Sequence, residues 1–225
     1  MKWTLLAVVG ILGVATATPA PAPTCSPSYY NTCPTKTLNI VANFDDLEDG
    51  YQFTKPYDHL SWFRLTVRAR GGGAHRRGLI PHTKPNYAVA GPYPELYHTA
   101  PYFNISGTKT TSFDFTSFYA GCIVANQNRT GYAATNCQFT VDCLVGQRHQ
   151  GPYLYTYTPS SATAAPMTEY GPGFTYCYQA DFSLYTSGAG PANTLLVIDS
   201  VNYTIREGET FLRRRGFGFV DEAVS

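Results

Sequence analysis

Short runs in which apolar and polar residues alternate recur along most of this chain, and they predict strands. The pattern places strands over 38–44, 62–67, 102–105, 112–119, 121–125, 137–143, 153–157, 174–185 and 194–205. Nowhere does an apolar i, i+3, i+4, i+7 spacing persist long enough to predict a helix. The acidic run Asp45-Asp46-Leu47-Glu48-Asp49-Gly50 reads as a turn after the first strand. Residues 70–101 hold Gly71-Gly72-Gly73 and five prolines, and read as loop with short extended pieces. Many short strands punctuated by turns predict an all-β chain folded as a jelly-roll type β-sandwich.

The ends break this pattern. Lys2, the apolar run 5–14 and Ala15-Thr16-Ala17 have the layout of a secretory signal peptide over 1–17. The run is too short to span a bilayer. Residues 18–36, rich in Pro, Thr and Ser, read as a lead-in; 37–206 as the β-sandwich domain; and 207–225 as a charged tail. The tail contains the dibasic run Arg213-Arg214-Arg215, and Arg76-Arg77 is a second such pair. Export places the protein outside the cell or in a cell wall.

Composition narrows the partners. With 16 Lys and Arg against 15 Asp and Glu, the formal charge is +1. Such a balance exerts no global pull on nucleic acid or anionic membrane, so neither is an expected partner, and a monomer is expected. The six cysteines, an even count in an exported chain, predict three disulfides among 15 connectivities. The preferred pairing is Cys25–Cys33, which closes a short loop, and Cys122–Cys137, which bridges strands flanking the turn 126–134. Cys143–Cys177 follows by elimination. No C-x-x-C or His-x-x-x-His spacing suggests zinc. Asn104, Asn128 and Asn202 each begin a glycosylation sequon.

The stretch Thr111-Ser112-Phe113-Asp114-Phe115-Thr116-Ser117-Phe118-Tyr119-Ala120-Gly121-Cys122, followed by Asn136-Cys137-Gln138-Phe139-Thr140-Val141, resembles a core found in a set of uncharacterised secreted fungal proteins. Asn43-Phe44-Asp45-Asp46, Tyr57-Asp58-His59-Leu60-Ser61-Trp62 and Ile198-Asp199-Ser200-Val201-Asn202-Tyr203 resemble flanking elements of the same group. The likeness covers about residues 38–206 and implies a jelly-roll sandwich similar to many carbohydrate-binding modules, with no established activity. The chain departs from the pattern in Cys143 and Cys177, which look additional, and in the basic stretch from Arg64 to Arg77. Ser200 stands where a second acidic or amide residue is usual.

Candidate chemistry is sparse. If the first and last strands pair, Asp45, Asp46 and Asp199 converge on one edge and offer carboxylates to a structural Ca²⁺; no cofactor is required otherwise. The chain has 18 Tyr, 13 Phe and 2 Trp, a supply of rings and hydroxyls suited to stacking on sugars. Tyr153, Tyr155 and Tyr157 share one strand face and are the expected carbohydrate-binding strip. Asp114, Asp142, Glu169 and Asp181 are carboxylates without a catalytic motif. The five histidines, among them His59, His82 and His149, fall in expected loops. No Gly-x-Ser-x-Gly elbow is present. The expected function is a secreted non-catalytic module that binds a cell-wall or host polysaccharide or a cell-surface glycan. The alternatives are an effector-like protein-interaction module, or a glycoside hydrolase or lyase on the same scaffold.

Overall fold

A computed structural model describes residues 36–69, 78–90, 101–125, 132–185 and 194–207. The signal peptide, the Cys25–Cys33 pair, Asn128, Arg76-Arg77 and the tail beyond Glu207 lie outside them. The first strands are β1 (Lys36–Ala42), β2 (Ser61–Phe63), β3 (Leu65–Ala69), β4 (Gly78–Ile80) and β5 (Asn86–Ala90). Next come β6 (Tyr102–Asn104), β7 (Thr110–Ala125), β8 (Tyr132–Ala134), β9 (Cys137–Val145) and β10 (Arg148–Tyr157). Then follow β11 (Ala164–Pro166), β12 (Thr168–Tyr170), β13 (Phe174–Cys177), β14 (Gln179–Tyr185) and β15 (Thr194–Glu207). The described residues contain no helix.

These strands form two antiparallel sheets. The larger runs β12-β7-β15-β5-β3, with β1 added on β15 and both β8 and β13 added on β7. The smaller runs β10-β9-β14-β6-β2, and β4 and β11 make a separate parallel pair. Alternation gives each sheet one apolar face, and the two faces meet. Phe113, Phe115 and Phe118 of β7 pack on Phe103, Phe139 and Phe182 of the smaller sheet, with ring centroids 5.2–6.1 Å apart. All six are fully buried, each worth about 1.5–3 kcal/mol before conformational entropy is subtracted. β1 pairs with the second half of β15, and the chain passes repeatedly from one sheet to the other, as a jelly-roll sandwich requires. Cys122 bonds to Cys137 and Cys143 to Cys177, with Cα atoms 6.1 and 5.6 Å apart, two of the three preferred pairings.

Several strand boundaries differ from the expected ones for physical reasons. The run 62–67 is two strands in different sheets, because Arg64 takes φ 61° and leaves Trp62 and Leu65, three residues apart, both facing the core. The runs 112–119 and 121–125 are one 16-residue strand. Gly121 sits within it because a Cβ there would lie 2.9 Å from the Leu79 methyl carbons and 3.2 Å from Tyr157. The run 174–185 divides at Tyr178 into a strand of each sheet. The stretch 70–101, read as loop, contains β5, which is buried along its whole length between β3 and β15.

Candidate functional site

The three candidate tyrosines lie on β10, an edge strand of the smaller sheet. Tyr153, Tyr155 and Tyr157 pair in register with Val141, Phe139 and Cys137 of β9, so their shared face is the one that turns toward the core. Exposure therefore falls along the strand. Tyr153 is 48% exposed, Tyr155 is half-buried and Tyr157 is 1% exposed. The expectation of one exposed strip of three rings is corrected at Tyr157. That side chain is a core residue whose hydroxyl donates to the Pro166 carbonyl at 3.0 Å, and burial pushes its phenol up to about 12. Tyr155 packs on Tyr170 and Phe139, with centroids 5.1 and 5.7 Å away.

Tyr153 belongs to a different arrangement, at the sandwich edge where β10 meets β13. Its ring stacks on Phe174 of β13 at 5.0 Å and 25°. A bulge between Gln150 and Tyr153 turns β10 there; Gly151 takes φ 116°, a conformation other residues rarely adopt. The Gln150 amide holds β13 at two points. Its Nε2 donates to the Thr175 carbonyl and its Oε1 accepts from the Thr175 N–H, both at 3.0 Å. The Cys143–Cys177 bond ties the end of the same strand to β9.

Tyr176, next to that disulfide, is 53% exposed and was not singled out in the sequence. Its φ of 58° is costly for a residue with a large side chain, and Asp114 supports it by accepting the Tyr176 N–H at 2.9 Å. The other Asp114 oxygen pairs with the Arg206 guanidinium, whose carbon lies 4.7 Å from the centre of the Tyr176 ring. Asp114 thus holds both the backbone and the cation that fix this ring. Tyr153 is thus an exposed phenol backed by Phe174 where β10 meets β13, and Tyr176, two residues after Phe174, is an exposed phenol beside Asp114 and Arg206 on the face of the larger sheet turned away from the core.

The acidic candidates for calcium are each engaged by protein donors. Asp199 is fully buried on β15. Its Oδ2 accepts from the Thr83 N–H at 2.9 Å and its Oδ1 from the Ser200 N–H at 2.7 Å. Burial pushes its carboxyl up to about 6; nearby Asp45 adds to the rise, and the hydrogen bonds from Thr83 and Ser200 oppose it. Asp45 accepts from the Asn86 N–H at 2.9 Å, while Asp46 accepts from the Tyr57 hydroxyl at 2.7 Å. Among the described residues no group of three or more His, Cys, Asp or Glu side chains is placed to hold a metal ion. Ca²⁺ takes six to eight oxygens, and each of the three carboxylates already accepts a hydrogen bond from the protein.

The outer face of the smaller sheet carries a further polar row. Phe63, Tyr102, Asp181 and Asp142 stand directly across from one another on β2, β6, β14 and β9. Asp142 bonds to His149 Nδ1, and both Asp181 oxygens accept from the Gln179 amide. Burial raises the Asp181 carboxyl, and Asp142 across the strand adds to it. Tyr87 is buried in β5 and Tyr102 lies on this outer face. Tyr93 and Tyr97 lie outside the described residues.

No protein-family model and no curated protein matches the chain. Among solved structures it is similar to the N-terminal CBM22-1-CBM22-2 tandem domain from Paenibacillus barcinonensis Xyn10C, at 10% identity and a TM-score of 0.40. That match covers 80% of this chain and 49% of the other, so the chain spans about half the tandem structure. It is also similar to the CBM22-1 xylan-binding domain of the same protein, at 9% identity and a TM-score of 0.34, over 75% of this chain and 94% of that one.

Proposed function

We propose that this protein is a secreted, non-catalytic module that binds an extended polysaccharide of a cell wall or host surface along the edge formed by β10 and β13. The observation that carries the reading is the pair Tyr153 and Tyr176. Each keeps about half its surface exposed while Phe174 or Arg206 backs its ring. A ring fixed before binding loses little side-chain entropy when a sugar stacks on it. Arg206 and Asp114 offer a donor and an acceptor for sugar hydroxyls beside the second ring. Two disulfides within the described sandwich fit an oxidising compartment, and the predicted signal peptide and the resemblance to secreted fungal proteins belong to the same proposal. Retention on insoluble polysaccharides, compared between the wild type, Tyr153→Ala and Tyr176→Ala, tests it.

A hydrolase reading rests on one observation, the direct cross-strand opposition of Asp142 and Asp181. Side chains so placed have Cβ atoms about 4.5–5.5 Å apart, close to the separation of a retaining carboxylate pair. Release of reducing sugar by the wild type, abolished in Asp142→Asn, would favour it over the binding module.

A further inference from the structure

We propose that Asn104 carries an N-linked glycan whose first sugar lies on the Phe63–Tyr102 ring pair, on the outer face of the smaller sheet. Asn104 and Tyr102 are two residues apart on β6, with buried Phe103 between them pointing inward. Their side chains therefore leave the same face about 6.5–7 Å apart, the reach of one sugar ring. Phe63 stands opposite Tyr102, and the two rings stack at 4.6 Å and 18°, both half-buried. Phe63 offers water no polar group, and an N-acetylhexosamine laid over the pair covers it with C–H surface.

The Asn104 side chain is set for attachment. Its Oδ1 accepts from the Ser106 N–H at 3.0 Å, which fixes the amide, and its Nδ2 makes no hydrogen bond among the described residues. Ser61 Oγ donates to the Ser106 carbonyl at 2.6 Å and holds the sequon against β2. Gln179 lies directly across from Asn104, with Asp181 two residues along the same strand, so hydroxyl partners flank the sugar. Asn202 differs. Its Nδ2 donates to Ser117 Oγ and to the Ser200 carbonyl, and a sugar there would remove one of these bonds from a strand inside the larger sheet. In the transfer, Asn104 Nδ2 forms a bond to the anomeric carbon while that carbon's bond to a lipid-linked diphosphate donor breaks. The amide loses one proton, and the lipid diphosphate leaves with the electron pair. The site is separate from the β10–β13 edge, so this inference stands or falls independently of the binding reading.

The test uses the full chain secreted from a eukaryotic host. Amidase release of glycans in ¹⁸O-water, followed by peptide mapping, should mark Asn104 by conversion to aspartate. Enzymatic removal of the glycan should lower the melting temperature by about 2–4 °C. In Tyr102→Ala that difference should vanish, and Ser106→Ala should melt like the deglycosylated wild type. The acetyl methyl proton of the first sugar should be shifted upfield by the rings, a signature readable on the wild type even if Tyr102→Ala fails to fold. An unmodified Asn104 overturns the proposal. So does an acetyl methyl at its unshifted position, or an equal loss of melting temperature with and without the Tyr102 ring.

Discussion

Replacing Asp199 with Asn should change how the stability of the sandwich depends on pH. The Asp199 carboxyl sits at about 6 in the folded protein, against 3.8 for an unperturbed aspartate, chiefly because it is fully buried. A folded value above the unfolded one means that the native state holds this proton more tightly. The stability it contributes is complete below about pH 3.8 and is lost as pH rises through about 6. Two pKa units correspond to about 3 kcal/mol. The amide variant lacks this slope and carries a cost of about 1–3 kcal/mol that does not vary with pH, because its NH₂ accepts no hydrogen bond and leaves either the Thr83 or the Ser200 N–H without its acceptor. Asp58 and Asp181, also raised by burial, tilt both proteins alike and cancel in the difference. Urea unfolding of both proteins from about pH 4 to pH 7 measures it. The stability of wild type minus variant should fall by about 2.5 kcal/mol across that range. A flat or rising difference would refute the burial argument.

Three further outcomes are expected. Tyr157→Ala should cost about 3–5 kcal/mol in chemical denaturation, whereas Tyr153→Ala should cost no more than about 1 kcal/mol, since only the first ring is enclosed. Replacing Cys143 and Cys177 together by Ala should cost about 4 kcal/mol, the loop-closure value for cysteines 34 residues apart, and should loosen β13 as seen by amide hydrogen exchange. Millimolar Ca²⁺ should leave the melting temperature at pH 7 unchanged; a concentration-dependent rise would mean that Asp45, Asp46 and Asp199 regroup around the ion.

The strands were legible in the sequence because alternation with period two survives in most of them. Where one extra residue interrupts it, as at Arg64, the pattern looked continuous while the chain changed sheets. The fully buried β5 has no polar face to alternate with, so Pro85 and its neighbours made it look like loop. Period two also says which side chains share a face but not which face turns inward. Tyr153, Tyr155 and Tyr157 do lie together, yet pairing with Val141 and Phe139 decides that the face points to the core. Tyr176 and Arg206 were beyond sequence reasoning for another reason. Their support comes from Asp114, 62 and 92 positions away, and no local spacing records such a contact. The shared face of Tyr102 and Asn104, two residues apart, was readable; the stacking of Phe63 on Tyr102 was not, because it depends on β2 pairing with β6.

Depletion isotherms on a panel of insoluble xylan, cellulose, chitin and β-glucan measure most directly whether the Tyr153–Tyr176 edge takes polysaccharide. The wild type should be retained by at least one of them. Tyr153→Ala and Tyr176→Ala should each weaken retention by about tenfold, roughly 1.4 kcal/mol, with melting temperatures within about 3 °C of the wild type. Failure of the wild type to bind any of these, or undiminished binding by a folded variant lacking both rings, would contradict the binding reading.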